Sequence, residues 1–375
     1  MLRVYVLFSI LFSAIRDTRS QEAGTKRVEE VEDEIGYVQS LMLNTPPLAS
    51  LKSSYQDIEV YESSHFGKVF LLDECLQLTE RDAPHYNEML AHVPMMEYLA
   101  SHRGDSDSDS ETEADSELEP MRVLVIGGGD GYVVSELLKH PHIESIDHVE
   151  LDEEVINVSK RFFEWASAWE HEKVNLIIGN GATFVEDQLK KKEAGGGISY
   201  HVIIQDASDP FYTDSNGSIV ILPSHVLYQD EHFQRMHKLL APNRGVLMFQ
   251  AETYNIPSNL EEIRNWRRSL EQIGFEHVRY GSISISTYPT GQIGFFVSHA
   301  RDGNDEFVCE SHMGADTSTD NSTSTCQENS HTSISSFADD DKMDKSGWMD
   351  WNRIGASYRK LSGKTKYYHP CIHRR

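Results

Sequence analysis

The feature that most constrains the fold is an apolar run that ends in a cluster of glycines. Residues 121–128 read MRVLVIGG, and the sequence GGGDG from Gly127 to Gly131 leads into a helical segment at 133–140. An uninterrupted apolar strand is typical of a parallel sheet buried on both faces. Glycines let the backbone turn sharply into a helix and approach a ligand closely. Such turns occur in nicotinamide, flavin and S-adenosyl proteins, and a tight turn without a ligand is the alternative.

The same alternation continues toward the C-terminus. Apolar runs predict strands at 146–152, 174–180, 200–206 and 245–252, with a helix at 153–163, and a Gly- and Lys-rich stretch at 190–197 predicts a loop. This succession predicts an α/β fold with a Rossmann-like, doubly wound sheet over residues 84–299. Ligands of such sheets bind beyond the carboxyl ends of the strands.

A smaller domain precedes this sheet. Residues 36–83 contain short alternating segments at 55–63, 68–73 and 75–80, separated by turns at Gly67 and at Asp73-Glu74. They predict a small antiparallel β domain. Apolar residues at helical spacing over 84–100 then predict a helix, with Pro84 near its start.

The charge of the chain excludes several classes of partner. Its 375 residues carry a formal net charge of −26, which is the wrong sign for binding nucleic acid or an anionic membrane surface. It is compatible with cationic ligands. More than half of this charge lies in two low-complexity segments, 104–120 and 300–345, which we expect to be disordered insertions. A C-terminal segment at 346–375 follows.

The N-terminal segment and the cysteines give information on the cellular compartment of the protein. Residues 1–20 contain an apolar run after Arg3 that resembles a secretory leader and is too short to span a bilayer. An extension without a secretory role is the equal alternative. The four cysteines are far apart and show no metal-binding or disulfide spacing.

Acidic residues at strand ends indicate the chemistry. Glu150 ends the second strand, where an acid can accept hydrogen bonds from ribose hydroxyls. Asp130 lies inside the glycine turn, where it would repel a pyrophosphate and attract an amine. Asp206 and Asp209 follow the fourth strand, just before Pro210. Like charges packed this closely need a cation or a shared proton, so the four acids predict a polycationic substrate.

Several motifs in order resemble the spermidine/spermine synthase family of aminopropyltransferases, and spermidine synthase most. They are SSYQDIEVYES, FGKVFLLDECLQLTERD, PHYNEMLAHVP, VLVIGGGDG, VELD, QDASDP, FQAE, STYPTGQIGFF and, near the C-terminus, KTKYYHPCIHR. The resemblance implies transfer of an aminopropyl group from decarboxylated S-adenosylmethionine to putrescine, with 5′-methylthioadenosine as by-product. It implies no cofactor and no metal, because the donor is a co-substrate.

The resemblance also implies roles for single residues. Asp206 would be the general base. The donor would be bound by Gln56, Asn87, Gly127, Gly129, Asp130, Glu150, Asn180 and Gly181. The acceptor would be bound by Tyr86, Asp206, Asp209, Gln250 and Tyr288. The chain departs from the family at two of these positions: an Asp is common at the position of Asn180, and a Gln is common at the position of Asn87. It also shows no clear counterpart of the family's N-terminal Trp. The loop after Asp209 is longer than is usual in the family.

Alternatives within and beyond the family stay open. Spermidine could be the acceptor, which would make the enzyme a spermine or thermospermine synthase. A methyltransferase that uses S-adenosylmethionine would share the sheet and Glu150, but its substrate carries a carboxylate that Asp130 would repel. The resemblance implies small-molecule partners, a homodimer or homotetramer formed through the β domain, and a cytoplasmic location. The segment 1–20 would instead direct the chain to the secretory pathway or an organelle.

Overall fold

The computed structural model describes residues 24–102, 119–213, 219–242 and 244–300. The possible leader, nearly all of the 104–120 insertion and everything from 301 onward lie outside the described residues. Among the helices of the described ranges, none has both the length and the apolar character needed to cross a membrane.

The N-terminal domain is an antiparallel sheet whose strands pair in chain order. Its strands are β1 (Thr25–Glu32), β2 (Tyr37–Lys52), β3 (Asp57–Ser63), β4 (Gly67–Leu72) and β5 (Cys75–Thr79). The sheet begins earlier than the predicted residue 36. The sequence of β1, TKRVEEVE, shows little apolar alternation and buries only Val28 fully. Its strand conformation comes from pairing with β2 along its whole length.

The larger domain begins with α1 (Ala83–His102). Its further elements are β6 (Met121–Gly127), α2 (Tyr132–Leu137), β7 (Ile143–Glu150), α3 (Glu153–Phe162), β8 (Val174–Ile178), α4 (Gly181–Glu193), β9 (Val202–Asp206), β10 (Phe211–Thr213), β11 (Ile219–Ile221), α5 (Asp230–Leu239), β12 (Val246–Ala251), α6 (Pro257–Ile273), β13 (Phe275–Ser284) and β14 (Gln292–Ala300). Short 3-10 helices lie at Glu164–Glu170 and Pro223–Tyr228.

The large sheet is mixed. Over the described ranges its strand order is β13-β14-β12-β9-β6-β7-β8. The five strands from β12 to β8 are parallel to their neighbours, while β14 runs antiparallel to both β12 and β13. Apolar layers cover both faces, with α1 and α2 on one and α4, α5 and α6 on the other. The predicted Rossmann-like sheet behind a small antiparallel β domain is confirmed, and the antiparallel edge is a feature that the prediction lacked.

One local prediction was wrong. The stretch 190–197 was expected to be a loop, but α4 continues to Glu193. The helix starts at the N-cap Asn180, whose side chain accepts a hydrogen bond from the Thr183 amide at 3.1 Å. Lys190 pairs with Glu186 one turn earlier at 2.7 Å, a spacing that stabilises helices. The lysines therefore belong to the last helical turn, where they also suit the helix dipole.

Candidate active site

The strand order places β9 between β6 and β12, so the end of β9 is the centre of the carboxyl edge. Asp206 ends β9 and pairs in register with Gly127 of β6. On the other side, Gln205 pairs with Phe249, one residue before Gln250. One crevice therefore joins the glycine turn on one side of Asp206 with the end of β12 on the other.

The glycine turn fits against Asp206 with no room for side chains. Gly127 has a φ of 78°, which favours glycine, and a Cβ there would lie 2.0 Å from the Asp206 carbonyl oxygen. The Gly128 amide donates to that oxygen at 2.8 Å. A Cβ on Gly128 would lie 2.9 Å from Oδ2 of Asp206. The turn and the backbone of Asp206 are thus held together, and the side-chain carboxyl group of Asp206 lies next to Gly128.

Glu150 faces the same turn from β7. A Cβ on Gly129 would lie 2.9 Å from its Oε2, so the glycine leaves space for the carboxyl group. Its Oε1 accepts from the Asp152 amide at 2.9 Å. Asp152 in turn accepts hydrogen bonds at Oδ2 from Gln56 at 3.0 Å and from Ser53 at 2.6 Å. The hydrogen bond to Asp152 therefore holds Gln56, a residue of the N-terminal domain, next to Glu150 at the carboxyl edge of the large sheet.

Tyr86 and Asp206 form the contact at the centre of the crevice. The Tyr86 hydroxyl donates to Oδ1 of Asp206 at 2.6 Å. The other carboxylate oxygen, Oδ2, faces Gly128. Burial raises the pKa of Asp206 to about 6, an effect that the Tyr86 hydrogen bond opposes. Burial and the Asp206 charge raise the pKa of Tyr86 well above its usual value, so the phenol stays protonated and acts as a donor.

A second group of polar side chains lies beyond Asp206. Gln250 donates through Nε2 to Oδ1 of Asp209 at 3.2 Å, and its Oε1 accepts from the Tyr228 hydroxyl at 2.8 Å. The Tyr228 hydroxyl also lies 3.1 Å from the Ala207 carbonyl oxygen, and together with Asp209 it helps to orient the Gln250 amide. Tyr288 donates to Oε2 of Glu252 at 2.7 Å. Tyr228 and Glu252 were missed from the sequence, although Glu252 follows an apolar strand just as Glu150 does.

The five carboxyl groups of the crevice hold protons more tightly than free carboxyls. Burial, reinforced by neighbouring carboxylates, raises the pKa of Asp130 to about 7 and that of Glu150 to about 7. Burial raises the pKa of Asp209, and burial together with the Asp209 charge raises that of Glu252 well above its usual value. Within the described residues these five groups form no ion pair with Lys or Arg. The crevice therefore has an unmatched capacity for positive charge.

The remaining candidates are less directly connected. Asn180 and Gly181 lie just after β8, on the same sheet edge, where Asn180 caps α4. Asn87 is buried in α1, and its amide donates to the Ala83 carbonyl at 3.0 Å. No described contact joins Asn87 to the five carboxyl groups, so its donor-binding role stays a prediction from the resemblance.

The raised pKa values predict how stability changes with pH. When the pKa of a carboxyl group is higher in the folded than in the unfolded protein, the folded protein binds the proton more tightly. This stabilises the fold at pH values below the unfolded pKa, and the stabilisation is lost as the pH rises through the folded pKa. For Glu150 this interval runs from 4.5 to about 7. We expect the melting temperature of the unliganded protein to fall between pH 5 and pH 8 for this reason.

Glu150→Gln tests this prediction, because Gln can still accept from the Asp152 amide. The variant should gain about 1–3 kcal/mol of unfolding free energy over the wild type at pH 8 and little at pH 5. Denaturant titrations at both pH values measure the difference. Equal differences at the two pH values would contradict the assignment of a raised pKa to Glu150.

Two family models match the chain. The spermine/spermidine synthase domain matches residues 83–306, and the spermidine synthase tetramerisation domain matches residues 48–80. Spermidine synthase 2 of Arabidopsis thaliana is 35% identical over 247 residues, which cover 66% of this chain and 61% of the relative. Spermidine synthase of Schizosaccharomyces pombe is 37% identical over 248 residues, which cover 66% and 70%. The matched segment thus spans less than two thirds of the plant relative.

Solved structures support the fold. A spermidine synthase in complex with the transition state analogue AdoDATO has a TM-score of 0.58 at 23% identity and covers 76% of this chain and 85% of its own. The Thermotoga maritima spermidine synthase has a TM-score of 0.57 at 23% identity, with 77% and 84% covered. The matches over both domains show that the chain belongs to the spermine/spermidine synthase family.

Proposed function

We propose that the protein transfers the aminopropyl group of decarboxylated S-adenosylmethionine to putrescine, which gives spermidine and 5′-methylthioadenosine. The observation that carries the proposal is a single crevice with five buried or half-buried carboxyl groups, with which no described Lys or Arg side chain forms an ion pair. Donor and acceptor are both cationic, so together they would supply the missing charge. The names of the curated relatives, which are spermidine synthases, point to the same reaction.

The donor belongs beside the glycine turn. Asp130 would bind the aminopropyl ammonium, and its Oδ1 already accepts from the Tyr132 amide at 2.8 Å, which holds the side chain in the turn. Glu150 would accept from the ribose hydroxyls. Asn180 and Gly181 follow the neighbouring strand and would contact the adenine, with Gln56 closing the site through Asp152. Intact S-adenosylmethionine fits this arrangement poorly, because its carboxylate would face Asp130.

The acceptor belongs on the other side of Asp206. Asp209, with Gln250 bound to it, would hold the ammonium distant from the reaction. Glu252 adds a further carboxyl group beside Asp209, and the Tyr288 hydroxyl keeps that group oriented. Tyr86 would border the reacting amine next to Asp206, where a phenol face can also contact a cation.

The reaction is a displacement at the carbon next to the sulfonium. The amine nitrogen forms a bond to that carbon while the carbon–sulfur bond breaks, and the electron pair stays on sulfur as a neutral thioether. The nitrogen must lose a proton, since a free amine is protonated at neutral pH. Oδ1 of Asp206 already accepts a hydrogen bond from the Tyr86 hydroxyl. The proton would therefore go to Oδ2, the carboxylate oxygen that faces the turn. Alignment of the reactants supplies much of the rate.

Spermidine is a second candidate acceptor. Glu30 and Glu32 of β1 are both partly buried, and their pKa values are raised first by burial and also by the charge of Asp209, to about 7 for Glu30. These acids extend the negative surface beyond Asp209 and would suit a third ammonium. The observation favours an acceptor longer than putrescine as the alternative substrate.

A product assay tests the function and the acceptor together. The purified full chain is incubated with decarboxylated S-adenosylmethionine and putrescine, spermidine or cadaverine, and products are separated by chromatography. We expect 5′-methylthioadenosine in all productive reactions and spermidine from putrescine. Turnover with spermidine alone would move the assignment to the longer acceptor. S-adenosylhomocysteine formed from intact S-adenosylmethionine would overturn the proposal in favour of methyl transfer.

We also propose that the chain assembles through its N-terminal domain. The support is the match of residues 48–80 to a tetramerisation domain and an apolar stripe on β2, where Val38 is 53% and Met42 is 47% exposed. Such side chains are typical of an assembly surface when they lie together. A homodimer or homotetramer is therefore expected, and light scattering of the purified chain measures the mass; a monomer would contradict it.

A further inference from the structure

A buried His–Trp pair lies beneath the glycine turn. His148 is in β7, two residues before Glu150, and is fully buried; Trp169 is in the 3-10 helix that follows α3 and is 8% exposed. The indole Nε1 donates to Nδ1 of His148 at 2.8 Å, and Nε2 of His148 lies 2.6 Å from the Gly127 carbonyl oxygen. The planes of the two rings differ by only 10°, and the ring centroids are 5.8 Å apart.

These contacts allow one protonation state of the imidazole. An indole N–H only donates, so Nδ1 must be unprotonated to accept from Trp169. The Gly127 carbonyl only accepts, so Nε2 must carry the proton. Burial lowers the pKa of His148 to about 4, which keeps the ring neutral at physiological pH. The hydrogen-bond chain therefore runs in one direction, from Trp169 through His148 to Gly127.

The pair contacts both ends of the turn. His148 binds the Gly127 carbonyl at its start, and the benzene edge of Trp169 lies under Gly131 at its end, where a Cβ would be 2.9 Å from Cζ2 of the indole. Asp130 lies between these two points. The adjacent Gly128 amide is the group bonded to the Asp206 carbonyl. A shift of either anchor would therefore change where Asp130 stands relative to Asp206.

We propose that His148 and Trp169 are positioning residues for the nucleoside donor, acting through the glycine turn and without contact to the substrate. The inference rests on the proposed function, because it assigns the turn to decarboxylated S-adenosylmethionine. A buried imidazole and a buried indole need hydrogen-bond partners even in a purely structural role. The property to test is therefore whether these two hydrogen bonds affect donor binding as well as stability.

Matched variants separate the hydrogen bonds from the volume. His148→Gln can place an N–H near the position of Nε2, whereas His148→Asn is shorter and cannot reach Gly127. Trp169→Phe keeps an aromatic ring beneath Gly131 and removes the indole donor. We expect His148→Asn and Trp169→Phe to raise the KM for the donor about three- to tenfold, with the KM for putrescine unchanged. His148→Gln should stay near the wild type.

Two further measurements distinguish an error in this inference from an error in the proposed function. Calorimetry with decarboxylated S-adenosylmethionine, without an acceptor, should show the same loss of affinity in His148→Asn and Trp169→Phe, independently of turnover. The ¹⁵N chemical shifts of His148 should report the Nε2-protonated tautomer in the wild type and a change in Trp169→Phe. Equal donor KM and nucleoside affinity in all variants would overturn the positioning role. A wild type that binds no nucleoside would instead overturn the proposed function.

Discussion

Asp206→Asn should reduce turnover by about 10²–10⁴-fold, the range typical of losing a general base. The amide has the shape of the carboxyl group, and its oxygen can still accept from Tyr86, so the fold should persist. It cannot take up the proton of the attacking amine. Single-turnover measurements with saturating donor and putrescine would report the chemical step directly.

The same variant should be more stable than the wild type above pH 6. The pKa of Asp206 is raised from 3.8 to about 6, so an ionised Asp206 destabilises the empty site at pH 8, and Asn removes that cost. A gain of about 1–2 kcal/mol in unfolding free energy is expected. Lost activity with gained stability would exclude misfolding as the cause. If Asp206→Asn turned over as fast as the wild type, the assignment of Asp206 as the base would be wrong.

Asp130→Asn should raise the KM for the donor by about 10–100-fold, because a hydrogen bond to a charged group contributes roughly 1.5–3 kcal/mol. Asn can keep accepting from the Tyr132 amide, so the turn stays formed and only the charge is lost. Initial rates over a range of donor concentrations at saturating putrescine give the value. The KM for putrescine should change little, since the acceptor lies beyond Asp206.

Asp130→Leu and Asp209→Asn serve as controls for that experiment. The leucine also removes the hydrogen bond to the turn, so it should raise the donor KM at least as far. Asp209→Asn should have the opposite selectivity and raise the KM for putrescine. An unchanged donor KM in both Asp130 variants would show that this carboxylate does not bind the aminopropyl ammonium.

The sheet and its acidic edge could be predicted because the signal is local. Each parallel strand appears as an apolar run, and the residue that follows it must lie at the carboxyl edge, as Glu150 and Asp206 do. Glu252 carries the same signal after β12 and was overlooked among the residues of the FQAE motif. The strand β1 was missed for a different reason: its charged sequence shows little apolar alternation, and its strand conformation comes from pairing with β2.

Contacts across long sequence separations could not be predicted from such patterns. Tyr86 and Asp206 meet only because α1 packs against the sheet, and nothing near Tyr228 in the sequence shows that it orients Gln250. His148 lay inside a strand that was correctly expected, but one of its two hydrogen bonds comes from Trp169, in a 3-10 helix without clear periodicity. The sequence thus predicts which edge holds the chemistry, whereas the orientation of each group follows from tertiary packing.

The register between Gly127 and Asp206 has a consequence for how this site could change over time. Asp206, the proposed base, is tied by its backbone to the glycine turn proposed to bind the donor, so any shift of one moves the other. The acceptor side is attached differently: Gln250 and Glu252 lie at the end of the neighbouring strand β12, and Asp209, in the loop after β9, is bound to Gln250 through its side chain. Substitutions there can alter the length or charge of the accepted amine while the reacting geometry is inherited unchanged. Substitutions that change which amine is accepted should therefore be found near the end of β12. The specificity for the donor should change less readily than the specificity for the acceptor.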